Sequence, residues 1–201
     1  MVEINPIEIM SSYWSRGFAL DRHTISSIPI GEDSSGRMQY DTERTPIGEL
    51  LFKFKYRDDS SALVTICDTA AQFLKAKLLS VAHIQRIVTV PPSSHRKLQP
   101  ATLIATGIAE RLGISYNPDS LERISTGTAA KNTDDLDERR ESQSKAFRLA
   151  PGTKFQNLYV LLIDDVYSSG ATSEAAARVL LSEGGAAEVF FFAVTKTRKG
   201  Q

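Results

Sequence analysis

The sequence predicts an α/β domain of the doubly wound kind, with a mostly parallel sheet and a small N-terminal extension. Three observations carry this expectation. The runs Val160-Leu-Leu-Ile163 and Val189-Phe-Phe-Phe-Ala-Val194 lack polar alternation, which fits strands covered on both faces. Segments with helical spacing alternate with such runs, as right-handed crossovers require. Asp164 and Asp165 end the first run, and ligands of open α/β sheets bind just beyond the carboxyl ends of strands.

In chain order, residues 1–43 form the extension and 44–201 the main domain. Tyr13, Trp14 and Phe18 in the extension suit either packing or stacking on a ring. Arg57, Asp58 and Asp59 read as a turn. Between Ser60 and Ser80, Leu63, Ile66, Cys67, Ala70, Phe73, Leu74 and Leu78 recur at helical spacing. Cys67 lies on that stripe and reads as a small buried hydrophobe. Ile87-Val-Thr-Val90 is a short strand. Ala101, Ile104, Ala105, Ile108, Ala109 and Leu112 mark a helix closed by Gly113, and Ile114-Ser-Tyr116 a brief strand. Arg123 to Arg148 is densely charged and lacks apolar periodicity until Ala146-Phe147, so a loop is expected. After the strand at 160–163, residues Ser173 to Glu183 are rich in helix formers and stop at Gly184-Gly185.

With 201 residues and 41% hydrophobic content, the chain can build one full-sized core. Lys and Arg total 24 and so do Asp and Glu. No global field draws the protein to nucleic acid or an anionic membrane, so any anion site must be local. One cysteine excludes an internal disulfide and a cysteine-based zinc cluster, and favours a reducing compartment. No signal peptide or transmembrane run is legible, and the expectation is a cytoplasmic protein. His23, His83 and His95 are too scattered to form a protein cage for a metal.

The stretch Val160 to Thr172 joins a buried strand, two acids and a small-residue loop to a helix start. Ser168, Ser169, Gly170 and Ala171 carry little bulk, which lets backbone N–H groups approach an anion, and Thr172 adds a hydroxyl. An anion there gains free N–H donors and the positive end of the helix dipole. An ordinary βα turn with an acidic cap is the plain alternative. A nucleotidase strand ending in Asp-Asp is another, but its partner, G-x-x-x-x-G-K-[ST], occurs nowhere in the chain. A second anion-binding stretch leaves the strand at 87–90. Pro91 and Pro92 force a stiff exit, the hydroxyls of Ser93 and Ser94 can bond phosphate oxygens, and Arg96 and Lys97 add charge.

The thirteen residues Val160 to Thr172 resemble the signature of the type I phosphoribosyltransferases. The resemblance implies that Asp164 and Asp165 hydrogen-bond the ribose hydroxyls of phosphoribosyl pyrophosphate, while Ser168 to Thr172, entered through Val166 and Tyr167, cradle its 5′-phosphate. It makes Pro92, Ser93, Ser94, Arg96 and Lys97 part of the pyrophosphate loop. It also implies a flexible loop whose basic residues, here Lys131, Arg139 and Arg140, meet the leaving pyrophosphate. The expected reaction is transfer of the phosphoribosyl group to a nitrogen nucleophile, a nucleobase or related amine, with Mg²⁺ carried chiefly on the substrate's pyrophosphate. Residues 1–43 then become a hood over the acceptor or a packing arm.

Within that family the chain looks most like the ComF group, which is related to amidophosphoribosyltransferases and associated with DNA uptake. Leu51-Phe-Lys-Phe-Lys-Tyr-Arg57, the Val-Pro-Pro exit, Arg123, Arg139-Arg140 and Ala146-Phe147-Arg148 carry this likeness. The N-terminal cysteine-rich zinc segment of that group is absent, and its Arg-Gly-Phe-Asn-Gln is replaced by Arg96-Lys-Leu-Gln99. Two other functions stay open: a regulatory protein that senses phosphoribosyl pyrophosphate without turnover, and an accessory in DNA uptake. A homodimer is compatible with the sequence, a membrane partner is not, and the balanced charge argues against nucleic acid.

Overall fold

The computed structural model describes residues 2–57, 59–79, 83–92, 99–124 and 146–197. Its centre is a six-stranded sheet in the order β1-β2-β10-β9-β5-β6. These strands are β1 (Ile7–Glu8), β2 (Arg16–Arg22), β5 (Arg86–Thr89), β6 (Ser115–Tyr116), β9 (Tyr159–Tyr167) and β10 (Glu188–Lys196). Only the β1–β2 pair is antiparallel. The mostly parallel, doubly wound sheet expected from the sequence is therefore present.

Both faces are covered, which is why the core strands read as unbroken apolar runs. On one side α1 (Pro46–Tyr56), α2 (Ser60–Leu74) and α3 (Pro100–Leu112) pack over Leu20, Ile87, Leu161, Ile163, Phe190 and Phe192. The other side is filled by α4 (Ala171–Ser182) and a small antiparallel ribbon, β7 (Leu121–Arg123) with β8 (Phe147–Leu149), over Ala19, Val88, Val160, Leu162 and Phe191. Phe191 and Phe192, adjacent in sequence, point to opposite faces and are both fully buried. Each removes its side chain from water, a gain of about 2–3 kcal/mol.

Local signals explain the ends. Thr45 caps α1 by accepting the Gly48 N–H, and Pro46 starts it. Asp59, at the turn before α2, accepts the N–H groups of Ser61 and Ala62. A π-helical turn, Lys75–Leu79, extends α2 towards the expected end at Ser80. Gly113 closes α3 in the left-handed region, φ 66°.

Residues 1–43 are not one appendage. The segment at 16–22 is a sheet strand, parallel to β10, because Phe18, Ala19 and Leu20 supply apolar side chains to both layers. Trp14 stacks on Phe191 with ring centroids 4.6 Å apart, and Phe18 meets Phe73 edge-on. Both aromatics pack in the core rather than offering a free ring. The remainder is a hairpin, β3 (Thr24–Glu32) with β4 (Met38–Arg44), outside the central sheet. Ile28, Ile30 and Tyr40 are exposed on it, at 59%, 66% and 55%.

Candidate functional site

The strand order fixes where a crevice opens. From β5 the chain crosses through α3 to β6 on one side, then returns through the β7–β8 ribbon to β9 on the other side of β5. That reversal is a topological switch point, the place where open α/β sheets hold ligands. β9 also outruns its neighbour: β5 pairs with it only as far as Ile163, whereas β10 follows it to Tyr167. Asp164 and Asp165 thus belong to the strand itself, not to a loop after it. Among the described residues, their β5 side faces open space.

That space is a cavity of about 260 Å³. Asp164, Asp165 and Thr172 line it from the signature, Pro91 and Pro92 from the β5 exit, and Lys55 and Arg123 from elements far away in sequence. A strand sends successive side chains to opposite faces, so the two acids meet different neighbours. Asp165 turns towards the α1 side, where the Lys55 ammonium lies 2.8 Å from Oδ2. Asp164 turns towards the α4 side, where the Ser173 hydroxyl donates to it at 3.5 Å, and its Oδ1 accepts the Asp165 N–H at 2.8 Å. Burial, and then the Asp165 charge, push the Asp164 carboxyl up to about 7, against the pull of that N–H and of Lys55.

Arg123 closes the opposite wall. Its guanidinium donates to the carbonyls of Pro92 (3.1 Å) and Pro91 (3.2 Å) and sits 4.6 Å over the Phe147 ring. Burial lowers its pKa while the Asp164 charge raises it, so the arginine and that acid feel each other across the cavity. His23, just after β2, hydrogen-bonds Thr195 Oγ1 through Nδ1 at 3.1 Å. Burial, then the Arg44 and Lys55 charges, lower its pKa, with Asp165 opposing.

The phosphate-cradle candidates lie directly beyond the acids. Gly170 takes φ 90° and starts α4 with no side-chain cap, so among the described residues no side chain takes up the first N–H groups of the helix. Ala171 is the first helical residue, and Ser168 and Ser169 are exposed. Ser168 Oγ accepts from the Thr197 hydroxyl at 3.2 Å. Val166 is part-buried against the α1–α3 layer, and the Tyr167 ring is buried against Trp14 and Phe191. Tyr167 therefore props the loop from beneath. Pro92 stands at the cavity wall. Ser93, Ser94, Arg96, Lys97, Lys131, Arg139 and Arg140 lie outside the described residues.

Sequence reasoning passed over Lys55 and Arg123 as members of the site, and His23 as a neighbour within electrostatic reach of Asp165. Each is carried by an element whose place depends on long-range packing. Among the described residues, no group of three or more His, Cys, Asp or Glu side chains is gathered as a metal site.

No protein-family model matches the chain, and no curated protein matches it. Solved structures do. The adenine phosphoribosyltransferase of Saccharomyces cerevisiae, complexed with an imino-altritol bisphosphate and adenine, superposes with a TM-score of 0.50 at 13% identity, over 85% of this chain and 82% of that one. This chain has a phosphoribosyltransferase fold. The chain is also similar to an adenine phosphoribosyltransferase of Thermoanaerobacter pseudethanolicus (TM-score 0.48, 15% identity, 86% of this chain and 95% of that one) and to the glutamine phosphoribosylpyrophosphate amidotransferase of B. subtilis (0.48, 20%, 81% and 34%). Among the described residues no helix is long and apolar enough to cross a membrane.

Proposed function

We propose that the protein binds phosphoribosyl pyrophosphate and transfers its phosphoribosyl group to a nitrogen nucleophile. The bond from ribose C1′ to the pyrophosphate oxygen breaks, the pyrophosphate leaves with the electron pair, and the nitrogen lone pair forms the new bond. The observation that carries the reading is the cavity at the switch point. One wall holds two adjacent carboxylates and the uncapped start of α4, and the other holds the double-proline exit of β5.

Each part suits one part of the substrate. Carboxylate oxygens accept hydrogen bonds from ribose hydroxyls, and Asp164 and Asp165 stand beside each other along the strand to receive neighbouring ones. The start of α4 offers backbone donors and a favourable dipole to a phosphate. These give about 0.3–1 kcal/mol from the dipole and about 1.5–3 per charge-assisted bond. Micromolar binding needs about 8 kcal/mol, so the pyrophosphate arm must add its share. Mg²⁺ would be held through the substrate's own oxygens with Asp164 beside it. The Asp164 carboxylate fits such a contact, since its Oδ2 meets a neighbour only at 3.5 Å. The ion would neutralise the leaving pyrophosphate, while the protein's residues position the sugar and exclude water.

The acceptor enters from the side of the β3–β4 hairpin, which departs at His23 and returns at Arg44, both within electrostatic reach of the Lys55–Asp165 pair. The yeast neighbour is complexed with adenine and an imino-altritol bisphosphate, which supports a base and a phosphorylated sugar as the kinds of ligand for this fold. The ComF-like assignment draws in part on the Leu51–Arg57 segment, which forms the C-terminal half of α1 and its cap and delivers Lys55 to the site.

The test is pyrophosphate release from phosphoribosyl pyrophosphate and Mg²⁺ over a panel of nucleobases and amines, with calorimetric binding in parallel. Release that requires one acceptor supports transfer. Tight binding without release under any acceptor makes the protein a sensor instead, and absence of both removes the reading.

A further inference from the structure

We propose that the β3–β4 hairpin is a dimerisation arm: the outer edge of β4 pairs antiparallel with β4 of a second copy of this chain, about a two-fold axis at Tyr40. This interface does not depend on the phosphoribosyl reading.

The hairpin stands outside the central sheet, and every residue from Ile28 to Asp41 except Asp33 is exposed. Ile28, Ile30, Met38 and Tyr40 present apolar surface to solvent there. A lone two-stranded ribbon is marginal in water, and further strands with an apolar face are what make one stable. The two outer edges of this ribbon are not alike. β3 carries Pro29, which lacks an N–H, and both register shifts place their extra residue, Ile25 and Ile30, on β3. Proline and bulges are the devices that protect a sheet edge from added strands. β4 has neither: Met38–Arg44 runs in unbroken register and contains no proline or glycine.

Backbone alternation decides which groups that edge offers. Arg37 turns both its N–H and its C=O towards Asp33 across the turn, so Met38, Tyr40 and Thr42 turn theirs outwards. A strand that meets its own copy must set outward residue against outward residue, so the axis passes through a residue and never between two. Centring on Asp41, Glu43 or Arg44 sets a charge against itself, and centring on Thr42 sets Asp41 against Glu43, all of which are destabilising. Centring on Met38 or Gln39 runs the pairing into the turn at Gly36, where φ is 76°. Tyr40 is the centre that avoids both faults. There Tyr40 bonds its own copy, Met38 and Thr42 exchange bonds in both directions, and Arg37 of each copy faces Glu43 of the other. Cross-strand partners share a face, so the two Tyr40 rings meet at the axis with Pro29 of each ribbon beside them.

Sedimentation velocity over a range of concentrations measures association of the whole chain in wild type, E43R, R37E, R37E/E43R and Y40P. Arg37 and Glu43 are exposed, so the swaps leave the fold of each copy intact, while Y40P removes an outward N–H and spares the bonds to β3. Wild type is expected to dimerise. Each single swap raises the dissociation constant about tenfold, because the pair occurs twice in the dimer and becomes a repulsion. The double variant restores association, and Y40P abolishes it. Tyr40→Cys forms an interchain disulfide on oxidation, with the native Cys67 buried out of reach. A wild type that stays monomeric at every concentration overturns the assignment, as does a dimer indifferent to the swaps or a double variant as weak as the singles. A monomer whose Tyr40 amide is nevertheless protected from hydrogen exchange gives the edge to another partner and overturns it too. If Y40P does not fold, the charge-swap cycle decides alone.

Discussion

Asp164→Asn should make the protein more stable and less able to bind its ligand, and the pH dependence of that gain is the informative part. In the folded chain the Asp164 carboxyl is pushed up to about 7 from an ordinary 3.8, chiefly by burial and next by the Asp165 charge. A raised carboxyl pKa means that between those values the folded state holds a proton the unfolded state has released. Stability therefore falls as pH rises from about 4 to about 7, and the cost is complete above that window. Each unit of pKa difference is worth about 1.4 kcal/mol, which sets an upper bound of about 4 kcal/mol. The side chain is half-buried rather than sealed, so solvent reduces this and about 2 kcal/mol is expected. Asparagine has the same shape and does not titrate. Urea unfolding of wild type and D164N at pH 3, 4, 5, 6, 7 and 8 should show their difference widening by about 2 kcal/mol in favour of the variant across that range. A constant difference across that range, or one that shrinks with pH, would refute the account of Asp164 as a carboxylate held against its preference.

Gly170→Ala tests the loop: at φ 90° a side chain is strained, and its Cβ would fall against the hydroxyl of the buried Tyr167 and 3.0 Å from Cζ. The backbone part alone costs about 1–2 kcal/mol, so a melting temperature lower by several degrees and weakened binding of phosphate esters are expected in thermal scans and calorimetry. Arg123→Gln removes the guanidinium that ties the Pro91 and Pro92 carbonyls; pyrophosphate affinity should fall about tenfold while unfolding free energy drops by only about 1–2 kcal/mol. Thr45→Ala takes the cap from α1 and the bond to the Arg22 carbonyl at 2.6 Å. Denaturant curves should show a loss of about 1–2 kcal/mol, with Lys55 less well held and the acid pair correspondingly less effective in binding.

Much of this molecule is legible in its residues because the signals are local. Apolar runs without alternation mark Val160–Ile163 and Val189–Val194 as strands buried on both faces, and the heptad-like spacing from Leu63 to Leu78 marks a helix. The small residues after Asp165 mark a sharp turn into α4. The β3–β4 hairpin was not legible, since Ile28-Pro29-Ile30 reads as no regular alternation and its two register shifts break the period. The strand at 16–22 was concealed for another reason: Gly17, Asp21 and Arg22 dilute its apolar content, and only pairing with β10 shows it to be part of the sheet.

The same division applies to the site. Which residue types could grip a sugar phosphate was written in one continuous stretch, because a strand, its acids and the following helix start are neighbours along the chain. What surrounds them was decided by topology. Strand alternation sends Asp164 and Asp165 to opposite layers, and only the packed layers determine that one meets Lys55 and the other Ser173, with Arg123 acting on it electrostatically across the cavity. Proximity of Lys55 to Asp165 depends on α1 crossing the sheet face, a consequence of burying Leu51 and Phe54, which no local pattern encodes.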